Sequence, residues 1–160
     1  MLRSKFGVAM NRVFLFTLAA CTLLAFDGDS FSAKFEALPK SVRETATANM
    51  DNAFPVSISS AKGEQGWDYQ VNTVVNGKYH NLVIDSAGKL VTIKDETDLA
   101  ALPSPAKSAL EKHASTAKIL KLEKLTESGQ ITYGAVLKNE AQGTLVQVRV
   151  TPDGTVKPTN

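Results

Sequence analysis

The residues able to do chemistry are few and scattered. The chain has two histidines, His80 and His113, and one cysteine, Cys21, in 160 residues. Two histidines are too few for a histidine-rich metal site. No serine stands in a Gly-x-Ser-x-Gly turn, and no glycine-rich loop is spaced to cradle phosphates. Asp95, Glu96 and Asp98 cluster, but without the spaced Asp/Asn pattern of a calcium loop. They read as a solvated linker whose charge favours the start of the next helix. Lys112, Lys118, Lys121 and Lys124 are interleaved with Glu111, Glu123 and Glu127, the mixed pattern of a soluble face. No aromatic residue is interleaved with them, so base stacking has no support. His80 reads as a packed structural residue, and His113 as a charge near a helix C-terminus. The expectation is no catalytic residue, no cofactor and no metal. Trp67, Tyr69 and Tyr133 remain: on a buried face they are core, and on an uncovered sheet face they would anchor a partner protein.

The N-terminus reads as an export signal. Arg3, Lys5 and Arg12 precede an unbroken apolar run, Val13–Phe26, with no acid before it. At 14 residues that run is short of the roughly 20 that span a bilayer, and it suits a signal peptide. Removing the first 26 residues takes three of the 18 basic residues and no acid, leaving 15 against 16 acidic ones, so the formal charge of +2 becomes −1. The basic balance belongs to the leader, and charge gives no case for nucleic-acid binding. Leu18-Ala19-Ala20-Cys21 matches a lipobox, which would acylate Cys21 and anchor the chain. The apolar residues after Cys21 favour cleavage near Ser30–Ala33 instead. The assignment is signal peptide 1–33, with either site as its end. With Cys21 in the leader, the remainder has no disulfide.

The remainder shows self-similarity. At an offset of 64, Leu38-Pro39 falls on Leu102-Pro103, Trp67 on Ile131 and Tyr69 on Tyr133. After the next turn the offset is 66, placing Gly77 on Gly143 and Gly88 on Gly154. Each half opens with a helix: Val42, Ala46 and Met50 share one stripe, and Ala106, Ala109, Leu110 and His113 another. Pro39 and Pro105 suit a first helical turn, and Ser104 an N-cap. Strands are expected at 55–60, 66–75, 79–85 and 89–94, then 118–126, 130–138, 144–151 and 155–158. Trp67, Tyr69, Val71, Thr73 and Val75 alternate with polar residues, as on a strand with one buried face. Asn76-Gly77 signals a two-residue hairpin. The fold class is α+β: two tandem repeats, 34–95 and 96–160, each a helix on a four-stranded antiparallel meander. Lys94–Ala101 would be a short polar junction between two lobes.

Leu38-Pro39, Tyr69-Gln70-Val71, Asn76-Gly77-Lys78 and Ile84-Asp85-Ser86-Ala87-Gly88-Lys89-Leu90 resemble the PepSY and PepSY-like domains of bacterial envelope proteins. The stretch from Asp98 through Leu102-Pro103 and Tyr133 to Asp153-Gly154 looks like a second, tandem unit, with Ala135 and Thr155 departing from the pattern. The tandem form is similar in architecture to the β-lactamase inhibitor protein. The resemblance implies binding, since PepSY domains occur in the propeptides of secreted metallopeptidases. The expectation is an exported, non-enzymatic protein-binding module, periplasmic or extracellular, that inhibits or chaperones a peptidase or other hydrolase. The alternatives are a lipid-anchored assembly factor held by Cys21 and a small-ligand carrier. The expected partner is another envelope or secreted protein, not nucleic acid, with membrane contact only through the leader or a lipid on Cys21.

Overall fold

The computed structural model describes residues 28–158 apart from 64 and 65. The apolar run Val13–Phe26, Cys21 and the lipobox lie outside the described residues. The first described element, helix α1 (Gly28–Glu36), covers the candidate cleavage region Ser30–Ala33 and has no counterpart among the expected elements. Helix α2 (Lys40–Asn49) follows, then strands β1 (Pro55–Gly63), β2 (Gly66–Val75), β3 (Lys78–Asp85) and β4 (Leu90–Glu96). A single 3-10 turn (Leu99–Ala101) leads into helix α3 (Ser104–His113). Strands β5 (Ala117–Glu127), β6 (Gln130–Asn139), β7 (Leu145–Val150) and β8 (Val156–Lys157) complete the chain.

All eight strands form one antiparallel sheet in chain order. The junction is the main correction to the sequence reading. Lys94, Asp95 and Glu96 are not linker residues: they belong to β4 and pair with Leu125, Lys124 and Glu123 of β5. The halves are therefore joined by a ladder of backbone hydrogen bonds and not by a short hinge. Ser104 is also not a cap; Pro103 occupies the N-cap position without a side-chain hydrogen bond, and Ser104 is the first helical residue.

The helices cover one face of the sheet. Beneath α2, Val42, Ala46 and Met50 pack with Leu38, Val71, Leu82 and Ile84. Beneath α3, Ala106 and Leu110 pack with Leu102, Leu122, Tyr133, Ala135, Leu137, Val148 and Val150. The i, i+4 spacing puts each small helical stripe on the strand residues of one alternation, so two adjacent apolar clusters form on the same side. Two glycines let the sheet turns reach the helix starts. Gly88, at φ +87°, lies so close to Ser41 that a Cβ there would stand 2.6 Å from the Ser41 Cβ. Gly154, at φ +86°, is in the same position against Pro105, 2.8 Å from its carbonyl oxygen. The Thr45 hydroxyl donates to the Gly88 carbonyl at 2.6 Å, tying α2 to the β3–β4 turn.

The hairpin expectation at Asn76-Gly77 matches the backbone: both residues have positive φ, 52° and 77°, and Val75 pairs with Lys78. Ser128-Gly129 makes the corresponding turn between β5 and β6, with φ of 50° and 78°.

Candidate protein-binding face

On the helix side, polar residues are matched. His80 Nε2 donates to the Asn49 carbonyl at 2.9 Å, which ties β3 to the end of α2. His80 Nδ1 lies 2.6 Å from Asp95 Oδ1, and Lys124 Nζ is 3.1 Å from the other oxygen. These contacts link β3, β4 and β5 across the junction. Asp98 pairs with Lys78 at 2.5 Å, and Glu96 accepts from the Tyr79 backbone N–H at 3.0 Å. The acidic cluster is thus held in place by partners, where the sequence suggested a solvated linker. His113 ends α3 and is exposed.

The clusters under α2 and α3 lie on one side of the sheet, and the other face is formed by the alternate strand residues. Its occupants follow from register. Because Val71, Leu82 and Ile93 point to the helices, their neighbours Asn72, Asn81 and Lys94 point away. Beyond the junction, Leu125 continues that row on β5. A hydrogen-bonded ladder crosses the first strands: Asn81 Nδ2 donates to Asn72 Oδ1 at 2.7 Å, and Asn72 Nδ2 to Ser57 Oγ at 2.7 Å.

The centre of this face is shielded from solvent. Thr92 is 0% exposed, Leu125 1%, Val83 3%, Glu123 5% and Val136 6%. The strand sequence Leu122-Glu123-Lys124-Leu125 carries the signal that was missed. Its leucines are three apart, so they occupy opposite faces and both faces of β5 are buried. Glu123 was grouped with a soluble face and is instead among the most buried charged residues. Burial lowers the Lys94 amine from its ordinary 10.5, with the nearby Glu123 and Glu127 carboxylates acting against that shift. Towards the hairpin ends, large side chains on the same face emerge: Val74, Tyr79 and Leu145 are exposed.

The aromatic candidates separate. Trp67, read as an inward residue, is 53% exposed at the start of β2. Tyr69 is half-buried against the α2 cluster, and Tyr133 is buried under α3. Of the three, Trp67 has the ring surface free to meet another molecule. A shallow groove between α1 and α2 is lined by Phe35, Arg43, Thr47 and Ala48. The Arg43 guanidinium there is already taken by Glu36 at 2.7 Å. Among the described residues, no group of three His, Cys, Asp or Glu side chains is placed to hold a metal ion. No described helix is long and apolar enough to cross a membrane.

No protein-family model matches the chain, and no curated protein does. Solved structures do. A protein of Bacteroides eggerthii ascribed to the periplasm aligns with a TM-score of 0.64 at 16% identity, over 74% of this chain and 85% of its own. A DUF2874 family protein of Bacteroides ovatus aligns at 0.62 and 16% identity, over 74% and 84%. A BLIP-like protein of Bacteroides fragilis aligns at 0.59 and 13% identity, over 76% and 84%. At these identities the likeness shows the fold, which is α+β and BLIP-like.

Proposed function

We propose that this chain is an exported, non-enzymatic module that binds another protein of the cell envelope through the helix-free face of its sheet. The observation that carries the reading is the set of exposed apolar side chains on that face, Val74, Tyr79 and Leu145, around a packed centre of Val83, Thr92, Leu125 and Val136. Exposed aromatic and aliphatic side chains on a rigid, well-packed sheet are what a protein interface uses as anchors. Trp67 is exposed near the start of β2 in the row of Tyr69 and Val71, on the helix side, so it offers a separate anchor at the sheet edge, while Tyr69 and Tyr133 pack under the helices. The target class we favour is a peptidase or other hydrolase, which the module inhibits or chaperones. Support comes from the tandem PepSY-like pattern, with its duplication about the β4–β5 pairing, and from the BLIP-like fold of a solved neighbour.

A second reading rests on the lipobox at Cys21: the same face then serves an anchored assembly factor. The mass of the protein extracted from membranes separates the two. A diacylated N-terminal Cys21 supports the anchored form, and a chain starting near Ala33 removes it. The binding reading itself is tested by crosslinked capture from a cell-envelope extract, with Tyr79→Ala and Trp67→Ala compared after circular dichroism shows both folded. Loss of one stoichiometric envelope protein with Tyr79→Ala is the expected result. Equal capture by the wild type and both variants counts against the face.

A further inference from the structure

The sheet runs from β1 to β8 in chain order, so those two strands are its edges. They are unlike. Strand β8 has two residues, Val156 and Lys157, too short to template another strand. Strand β1 has nine, Pro55–Gly63. Its outward groups follow from register. Val75 pairs with Lys78 across the Asn76-Gly77 turn, and a two-residue turn closes on a pair that exchanges both backbone bonds. By alternation Thr73, Val71 and Tyr69 bond to β3, which leaves Asn72, Gln70 and Asp68 to bond to Ser57, Ser59 and Ala61. The N–H and C=O groups of Ile58, Ser60 and Lys62 therefore point out of the sheet. Among the described residues, no turn or loop backbone bond reaches them.

The middle of this edge lacks the usual guards. Natural edge strands are blunted by proline, a bulge or a charge. In β1 these stand at the ends: Pro55 and a bulge before Ser57 at one, Lys62 at the other. Between them Ser57, Ile58, Ser59, Ser60 and Ala61 carry no charge. Helix α1 lies against β1, where Val56 and Ile58 are half-buried, but Ser57, Ser59, Ser60, Ala61 and Lys62 stay exposed.

We propose that β1 pairs antiparallel with β1 of a second copy, about a two-fold axis at Ser60. Ser60 then faces its own counterpart, and Ile58 faces Lys62 of the other copy, each pair exchanging both backbone bonds. No like charges stand opposite each other, and on the helix-free face Ser59 meets Ala61, small enough for the strands to approach. A foreign strand would find the same backbone groups, but exposed serines and an alanine offer no pockets for the alternate side chains that would make it specific. The shortness of β8 removes the head-to-tail arrangement, in which β1 of one copy meets β8 of the next, so pairing closes at two copies and does not grow into a filament. The axis is perpendicular to the sheet, so both helix-free faces look the same way. The pair then offers Tyr79 and Leu145 twice on one continuous surface.

The test is sedimentation equilibrium of the exported chain over a wide range of concentration. The expected result is a mass that rises to twice that of one chain and no further. Ser60→Pro removes an N–H that the β1–β2 ladder does not use, which edge strands tolerate, so this variant should fold and stay a single chain throughout. Ser60→Lys sets two ammonium groups opposite each other and should weaken pairing, more at low salt than at high. If Ser60→Pro unfolds, Ser60→Lys decides. The mass of one chain at every concentration overturns the inference. So does a dimer untouched by the substitutions, which puts the contact elsewhere, and so does growth beyond two copies. Loss of a captured envelope protein with Ser60→Lys, where the wild type sediments as one chain, gives the edge to that partner and also overturns it.

Discussion

Replacing Asp95 by Asn tests whether the two halves are one folding unit. Asp95 is the one side chain that touches both His80 of β3 and Lys124 of β5, at 2.6 and 3.1 Å. The two contacts differ in weight. The His80 side chain is only 12% exposed, so its bond to a carboxylate falls in the charged, partly buried class worth about 1.5–3 kcal/mol. Lys124 is 39% exposed and solvent screens its pair with Asp95, which limits it to about 0.2–1 kcal/mol. Together they give a loss of about 2–4 kcal/mol for Asp95→Asn. With a urea slope of roughly 2 kcal/mol/M, the midpoint should fall by about 1–2 M. A double-mutant cycle with His80→Gln should return a coupling of at least about 1 kcal/mol. Fluorescence of Trp67 reports the first half, and far-ultraviolet circular dichroism reports both. The β4–β5 ladder implies that the two signals still change together in the wild type. A loss below about 0.5 kcal/mol would refute the assignment of the pair as a junction clamp. Separate transitions in the wild type would refute the single cooperative sheet.

Further outcomes follow from the same geometry. Gly88→Ala should destabilise by at least about 2 kcal/mol in urea melts, from the left-handed backbone and the clash with Ser41, whereas Gly77→Ala, with open space around it, should cost only the backbone strain of about 1–2 kcal/mol. Leu110→Ala, a fully buried residue under α3, should cost about 2–5 kcal/mol and lower the whole melt without splitting it. The lowered amine of Lys94 means that the unfolded chain binds more protons between that lowered value and 10.5, so stability should rise with pH across the alkaline range; Lys94→Met should flatten that rise. The Asp153 carboxyl is held below its ordinary 3.8, first by the Thr151 hydroxyl and then by the Thr155 N–H. Its contribution is complete above 3.8 and is lost as pH falls through the lowered value, so amide exchange at Thr155 should accelerate in strong acid and Asp153→Asn should remove that dependence.

What was legible in the sequence was local. Turn chemistry at Asn76-Gly77 set the β2–β3 hairpin, and the stripes Val42–Ala46 and Ala106–Leu110 located the helices that cover the sheet. The junction was not legible, because Lys94-Asp95-Glu96 has the composition of a solvated linker. What makes it a strand is a distant ladder to Leu125, Lys124 and Glu123, together with the His80 contact. The candidate face was hidden for a related reason. Alternation shows that a strand has two faces and not which of them is covered. Glu123 and Glu127 look soluble until Leu122 and Leu125 are seen to lie on opposite sides. Helix α1 was missed because its residues, Gly28–Glu36, adjoin the leader and read as its tail.

The central claim is that the helix-free face meets another protein. A photo-crosslinking residue placed in the exported chain at Tyr79 or at Leu145, both on that face, addresses it directly, with Glu44 on the exposed side of α2 as reference. The account expects one discrete protein adduct, shared by the Tyr79 and Leu145 positions and absent at Glu44. An adduct formed from Glu44 while Tyr79 and Leu145 give none would contradict it.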